Sequence, residues 1–214
     1  IVTIEWIRSF GPLGFPWANL ALTQSKYIYQ IQILEITGTY GISFIIISIN
    51  VIIYYSIKKN SIVKNGLLPI MIFYLGISLV GWARIASLQN NGEKINTVVV
   101  QPNIDPNKKW NEKKRVIAFM DSLHKEATKM DPDIIVFPET ALPSYLTVDN
   151  ITRSMLQETV DMSNIPLLTG TIHVELENKK KNYYNSAMWL TPHNDFELYS
   201  KIHLVPFAEY DLFP

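Results

Sequence analysis

Residues 36–57 read ITGTYGISFIIISINVIIYYSI, 22 consecutive positions without a charged side chain. At about 1.5 Å per residue a helix of that length covers about 33 Å, enough for a hydrocarbon core of about 30 Å. A second uncharged run of 19 residues occupies 65–83, with Pro69 and Gly76 inside it. Both residue types are tolerated in spanning helices, because neighbouring groups satisfy the freed backbone. The alternative is a pair of core helices in a soluble protein, but such helices usually keep a polar face. Tyr54, Tyr55 and Trp82 lie near the ends of the runs, as in interfacial aromatic belts.

The charges are divided accordingly. Only Glu5, Arg8, Lys26, Glu35, Lys58, Lys59, Lys64 and Arg84 fall in residues 1–84, and the other thirty follow. The connection KKNSIVK carries Lys58, Lys59 and Lys64 and no acid. Short lysine-rich loops stay in the cytoplasm, so the chain after Trp82 is expected on the far side, the periplasm of a Gram-negative cell. The segment EWIRSFGPLGFPWANLAL precedes the first span. Glu5 and Arg8 are three apart and able to pair on one helical face. Residues 9–22 read either as a re-entrant or interfacial loop, or as an ordinary connection.

The second half reads as α/β. β-branched NTVVV at 96–100 predicts a strand closed by QPN. Val116, Met120, Leu123, Ala127 and Met130 form one apolar stripe, predicting a helix over 107–130 that Pro132 ends. DIIVF at 133–137 predicts a strand buried on both faces. A helix over 151–162 with Asn150 as N-cap and strands over 166–174, 183–190 and 197–199 complete the order β-α-β-α-β-β-β, a layered α/β domain. The polar SLQNNGEK belongs to a linker over 85–95. The expected organisation is a transmembrane region over 1–84 and a domain over 96–214.

Equal numbers of basic and acidic residues, 19 each, argue against a broad nucleic-acid surface. Cysteine is absent, so no disulfide, thiolate metal site or cysteine nucleophile is available within these residues. His124, His173, His193 and His203 lack metal-ligand spacing, and no Gly-rich phosphate loop occurs. Neither a metal nor another cofactor is expected. Ser144 and Ser186 carry no Ser–His–Asp signature. Met120 and Met130 read as core, and Lys179–Lys181 as a solvated hairpin tip. The start at Ile1 and the stop at Pro214 lead to the expectation of a fragment.

Chemistry points to two segments. Glu139 follows DIIVF in FPETA, at the strand end where α/β sheets gather their functional groups. A solvated turn carboxylate is the competing reading. In SKIHLVPFAEY, Lys201 lies in an apolar setting and calls for a carboxylate partner, Glu139 or Glu209. Such a cluster supplies either a general base and an oxyanion-stabilising cation or a structural ion pair.

FPETALP, YNSA and YSKIHLVPFAEY together resemble the carbon–nitrogen hydrolase (nitrilase-like) domain of the apolipoprotein N-acyltransferases, whose second motif reads K-x-H-L-V-P-F-G-E-[FY]. Ala208 replaces its glycine. QPN…KW and EW…GFPW match as well. The resemblance implies an α-β-β-α sandwich incomplete at both ends, following the membrane helices. It implies a Glu–Lys–Cys triad in which Glu139 is the general base, Lys201 supports the tetrahedral intermediate, and Glu209 is a second essential glutamate. It assigns Trp110, Asn185, Phe207 and Trp17 to substrate binding and places the cysteine beyond Pro214.

The implied reaction takes an acyl chain from a phospholipid, holds it as a thioester, and delivers it to the α-amino group of a diacylglyceryl apolipoprotein's N-terminal cysteine. A positioned base activates the thiol, and the two half-reactions predict ping-pong kinetics. The implied location is the bacterial inner membrane, multi-pass, with the hydrolase domain in the periplasm. These residues alone are expected to be inactive. The alternatives are a membrane-tethered amidase of the same superfamily and a non-catalytic membrane scaffold with a degenerate hydrolase domain.

Overall fold

The computed structural model describes residues 1–11, 14–59, 61, 66–88, 92–177, 180–193 and 196–205. They fall into two compact units, Ile1–Gly92 with Val205, and Glu93–Leu204.

In the first unit, helix α1 (Val2–Ile7) leads into a looped segment. The expected Glu5–Arg8 pair does not form. Both side chains instead hold the loop that follows: Glu5 is buried and accepts from the Leu20 amide at 2.7 Å, while Arg8 donates to the Trp17 carbonyl at 3.0 Å. Orphan backbone groups of an irregular segment are stronger competitors for a charged side chain than an exposed neighbour one turn away. Two 3₁₀ turns, Leu20–Gln24 and Gln30–Ile33, then lead into helix α2 (Leu34–Lys58). Its 25 residues amount to about 37 Å of helix. Gly38, at φ 63°, interrupts it in a conformation that a Cβ would strain.

Helix α3 (Leu68–Ser87) begins with Pro69 in its first turn, where a missing N–H leaves no bond unmade. It runs four residues past the uncharged stretch, taking up Arg84. Its C-terminal half docks on the second 3₁₀ turn. Gly81 lies so close that a Cβ there would stand 1.8 Å from the Tyr29 carbonyl oxygen. Gln30 donates to Ser78 at 2.6 Å, and Arg84 grips Glu35 with two bonds of 2.7 and 2.8 Å. The runs 30–58 and 68–87 are both long and apolar enough to cross a membrane. Few of their side chains are buried within the protein: Ile36, Phe44, Leu79 and Val80 are all exposed. A soluble core helix would hide such residues.

The second unit is one five-stranded sheet in the order β1 (Thr97–Val99), β2 (Ile134–Val136), β3 (Leu167–Glu177), β4 (Lys180–Leu190), β5 (Glu197–Ser200). The first three strands are parallel, and β4 runs antiparallel to both β3 and β5. The carboxyl ends of β2 and β5 therefore lie at the same end of the sheet. Helices α4 (Pro106–Lys109) and α5 (Lys113–Thr128) lie between β1 and β2, and α6 (Asn150–Ser163) between β2 and β3. Apart from the second helix between β1 and β2, the order is the β-α-β-α-β-β-β that the sequence predicts.

Four local readings differ. The expected helix over 107–130 is two helices, broken at Trp110–Glu112. Its end comes at Thr128, ahead of Pro132, and Asp131 turns left-handed at φ 49°. Met130 thus falls outside the helix and is exposed, while His124 takes a core position between Met120 and Ala127. The cap of α6 is Asp149 rather than Asn150; its carboxylate accepts from the Thr152 amide at 3.2 Å. Ser144 donates to the same carboxylate and holds it well below the usual carboxylate range. β2 alternates in burial instead of being covered on both faces, with Ile135 buried and Ile134 and Val136 half-buried. Met120, Ile135, Leu146, Leu156, Leu167, Met188 and Leu190 form the fully buried core.

Candidate active site

After β2 the chain enters FPETALPS. Ala141, Leu142, Pro143 and Ser144 are buried, which anchors the loop and leaves Glu139 projecting at its start. Thr140 sits at φ 45°, a left-handed conformation rare for a residue with a branched side chain. β3 passes directly beneath. A Cβ on Gly170 would stand 2.6 Å from both the Glu139 Cα and the Thr140 amide nitrogen, so the turn rests where only glycine leaves room.

Register brings in the other groups. Ile172 of β3 faces Asn185 of β4, and Ser186 faces Ser200 of β5. Asn185 and Lys201 are therefore adjacent across the last two strands, and the Lys201 amide donates to the Asn185 carbonyl at 2.7 Å. The Asn185 side-chain amide donates to Oε1 of Glu139. Glu139, Asn185 and Lys201 line one pocket of ≈ 340 Å³ together with Leu168, Gly170, Ala187 and Tyr199. β2 and β5 are not neighbouring strands. β3 and β4 intervene, and Asn185 is the residue that bridges the gap.

The remaining assigned residues are placed differently. Trp110 caps the end of α4, is 46% exposed, and stacks in tilted fashion on Tyr145 at 5.6 Å, which in turn meets Tyr183 at 6.0 Å. It is not among the residues lining the pocket. Trp17 belongs to the first unit, where it stacks on Phe15 at 5.1 Å. Phe207 and Glu209 lie outside the described residues, as do Lys64 and Lys179. Ser144 bonds to Asp149, and Ser186 shares a hydrogen bond of 2.9 Å with Ser200, so both hydroxyls serve local structure. No group of His, Asp and Glu suited to a metal ion occurs among the described residues. Gly170, Lys109, Tyr145 and Tyr183 escaped the sequence reading. An isolated glycine inside the strand PLLTGTIHV was the one available signal, since it marks a close backbone approach.

A carboxylate, an amide and an ammonium thus share a pocket at the carboxyl ends of β2 and β5 of a mixed sheet in a layered α/β domain. The family described as carbon–nitrogen hydrolase matches residues 86–213, and the apolipoprotein N-acyltransferase N-terminal domain matches residues 1–52. The chain belongs to the carbon–nitrogen hydrolase family, on the branch whose members carry the apolipoprotein N-acyltransferase N-terminal domain. It is 32% identical to an apolipoprotein N-acyltransferase of Geobacter metallireducens and 33% identical to one of Rickettsia typhi, each over 98% of this chain and 42% of the relative. The chain therefore spans about two fifths of the length of the curated relatives it matches. Among solved structures it is similar to a carbon–nitrogen hydrolase from Helicobacter pylori G27, at 17% identity and a TM-score of 0.43, over 54% of this chain and 42% of that one.

Proposed function

We propose that these residues form the membrane anchor and part of the catalytic domain of an N-acyltransferase. The enzyme moves an acyl chain from a phospholipid, through a thioester, to the α-amino group of a diacylglyceryl apolipoprotein. The observation that carries this reading is the pocket joining Glu139, Asn185 and Lys201, in a chain that also holds two helices long and apolar enough to cross a membrane. In the scheme Glu139 takes the proton of a thiol, and the thiolate attacks the phospholipid ester carbonyl. Lys201 stabilises the oxyanion of the tetrahedral intermediate. Asn185 holds the Glu139 carboxylate in place. Collapse expels the alkoxide of the lysophospholipid, which takes the proton back from Glu139, and leaves the thioester. The acceptor amine then attacks the thioester carbonyl and passes its proton to Glu139; the amide forms as the C–S bond breaks, and Glu139 returns that proton to the departing thiolate.

The scheme calls for a cysteine that is not among these 214 residues. It assigns Glu209 to holding Lys201, and Trp110, Phe207 and Trp17 to contacts with the lipid substrates. The protein would lie in the bacterial inner membrane with this domain in the periplasm. The test is acyl transfer from phospholipid to a diacylated lipopeptide by the protein with its complete hydrolase domain. Triacylated product is expected from it, and none from residues 1–214 alone. Free fatty acid as the sole product would favour the amidase reading, and no turnover of either kind the scaffold reading.

A further inference from the structure

Glu139 lines two pockets. Asn185 approaches it in the first. The second, of ≈ 430 Å³, is lined by Gln101, Asn103, Asp105, Lys109, Pro138 and Glu139. Lys109 is the last residue of α4, and its Nζ donates to the carbonyl oxygen of Thr140, the residue directly after Glu139. That carbonyl belongs to the residue whose left-handed φ of 45° turns the chain directly after the glutamate. The lysine is itself held firmly. Asp105 caps α4 by accepting from the Asn107 amide at 2.9 Å, Pro106 fills the first turn, and Trp110 packs on Tyr145 immediately after.

We propose that Lys109 is a positioning residue for the Glu139 carboxylate. Its ammonium holds the Thr140 carbonyl from one side while the Gly170 backbone supports the turn from the other. The proposal rests on the reading of Glu139 as the base. A left-handed threonine is costly and persists only where its surroundings fix it. A charge-assisted hydrogen bond to its carbonyl is such a fixture, and stronger than a neutral one. Partial burial also lowers the Lys109 ammonium from the usual lysine range. Losing the bond frees the turn to relax and moves the carboxylate from the thiol it must deprotonate. A misplacement of about 1 Å costs roughly a hundredfold in rate.

The test measures single-turnover thioester formation from phospholipid by the complete membrane protein. Lys109→Met is expected to lower the rate at saturating phospholipid by roughly 10- to 100-fold, with the half-saturating concentration changed by less than about twofold. Lys109→Arg, which keeps charged donors, is expected to recover most of the rate. Where the Met variant does not fold, Lys109→Gln is measured instead, with the same expectation. A Lys109 variant at the normal rate, beside an inactive Glu139→Gln, overturns the proposal alone. So does a rate loss that only follows a lowered unfolding temperature, or one that appears wholly as weaker phospholipid binding. A Glu139→Gln protein that acylates normally overturns the base assignment itself, and with it the role of Lys109.

Discussion

His124 is a fully buried imidazole at a helix position that the apolar stripe of α5 leaves for a hydrophobe. Neither ring nitrogen has a hydrogen-bond partner among the described residues, and the ring packs edge-on against Phe137 at 5.5 Å. Burial pushes its pKa down to about 4. Between the ordinary value near 6.5 and about 4, the unfolded chain binds a proton that the folded chain does not. Stability is therefore undiminished above about pH 6.5 and falls as pH drops toward 4, by on the order of 3 kcal/mol. Asp149, held below the usual range by Ser144, adds its own loss only at still lower pH. Unfolding temperatures measured from pH 7 to pH 4.5 should fall in the wild type and fall less in His124→Leu. Parallel curves would show that another group governs acid lability. Sequence alone conceals this residue because histidine is counted among the polar side chains, and only the packing of α5 on Phe137 reveals a core position. Glu139 and Lys201 were legible from their motifs, whereas Lys109 was not: its partner Thr140 lies 31 residues away, and nothing local marks the pair.

At the scale of elements, the two uncharged runs translate almost directly into helices because nothing in them offers an alternative period. The long hairpin β3–β4 is harder to see. Its outer half carries Glu, Lys and Asn, so the alternation that reveals β3 fades, while the ladder continues to the pair Glu177–Lys180. The break at Trp110–Glu112 is equally hidden, since KKWNEKK has no glycine or proline to announce it. Gly81 is the element-scale counterpart of Gly170, a place where one backbone passes another with no room for a side chain. Gly81→Leu should push α3 away from the 3₁₀ turn at 30–33 and break the Gln30–Ser78 contact. Cysteines introduced as Gln30→Cys and Ser78→Cys should be linked efficiently by a short bismaleimide in membranes, and linked several-fold less when Gly81→Leu is added. Undiminished linking would mean that the helix end does not depend on this approach.

For the whole molecule, the division of charge sets two long apolar helices apart from a polar domain, and the proposed anchor and its direction rest on that division. Lys58 and Lys59 close α2, and no acid accompanies them in the connection to α3. In the proposed topology, the cytoplasmic retention of such loops leaves the second unit facing the periplasm. A reporter fused after Gly92 should be active only in the periplasmic orientation, and activity confined to the cytoplasm would reverse the proposed topology and separate the pocket from the proposed lipoprotein acceptor. The central claim is that Glu139 and Lys201 act on one acyl-transfer centre. The direct measurement is the amount of hydroxylamine-sensitive acyl-enzyme formed from labelled phospholipid by the complete protein. Wild type should accumulate the thioester when no acceptor is present. Glu139→Gln and Lys201→Met should each form less than roughly a hundredth as much while remaining folded, consistent with loss of a base or an oxyanion donor. Lys201→Arg should fail as well, because the planar guanidinium directs its donors differently. Normal thioester formation in either Glu139→Gln or Lys201→Met would contradict the account.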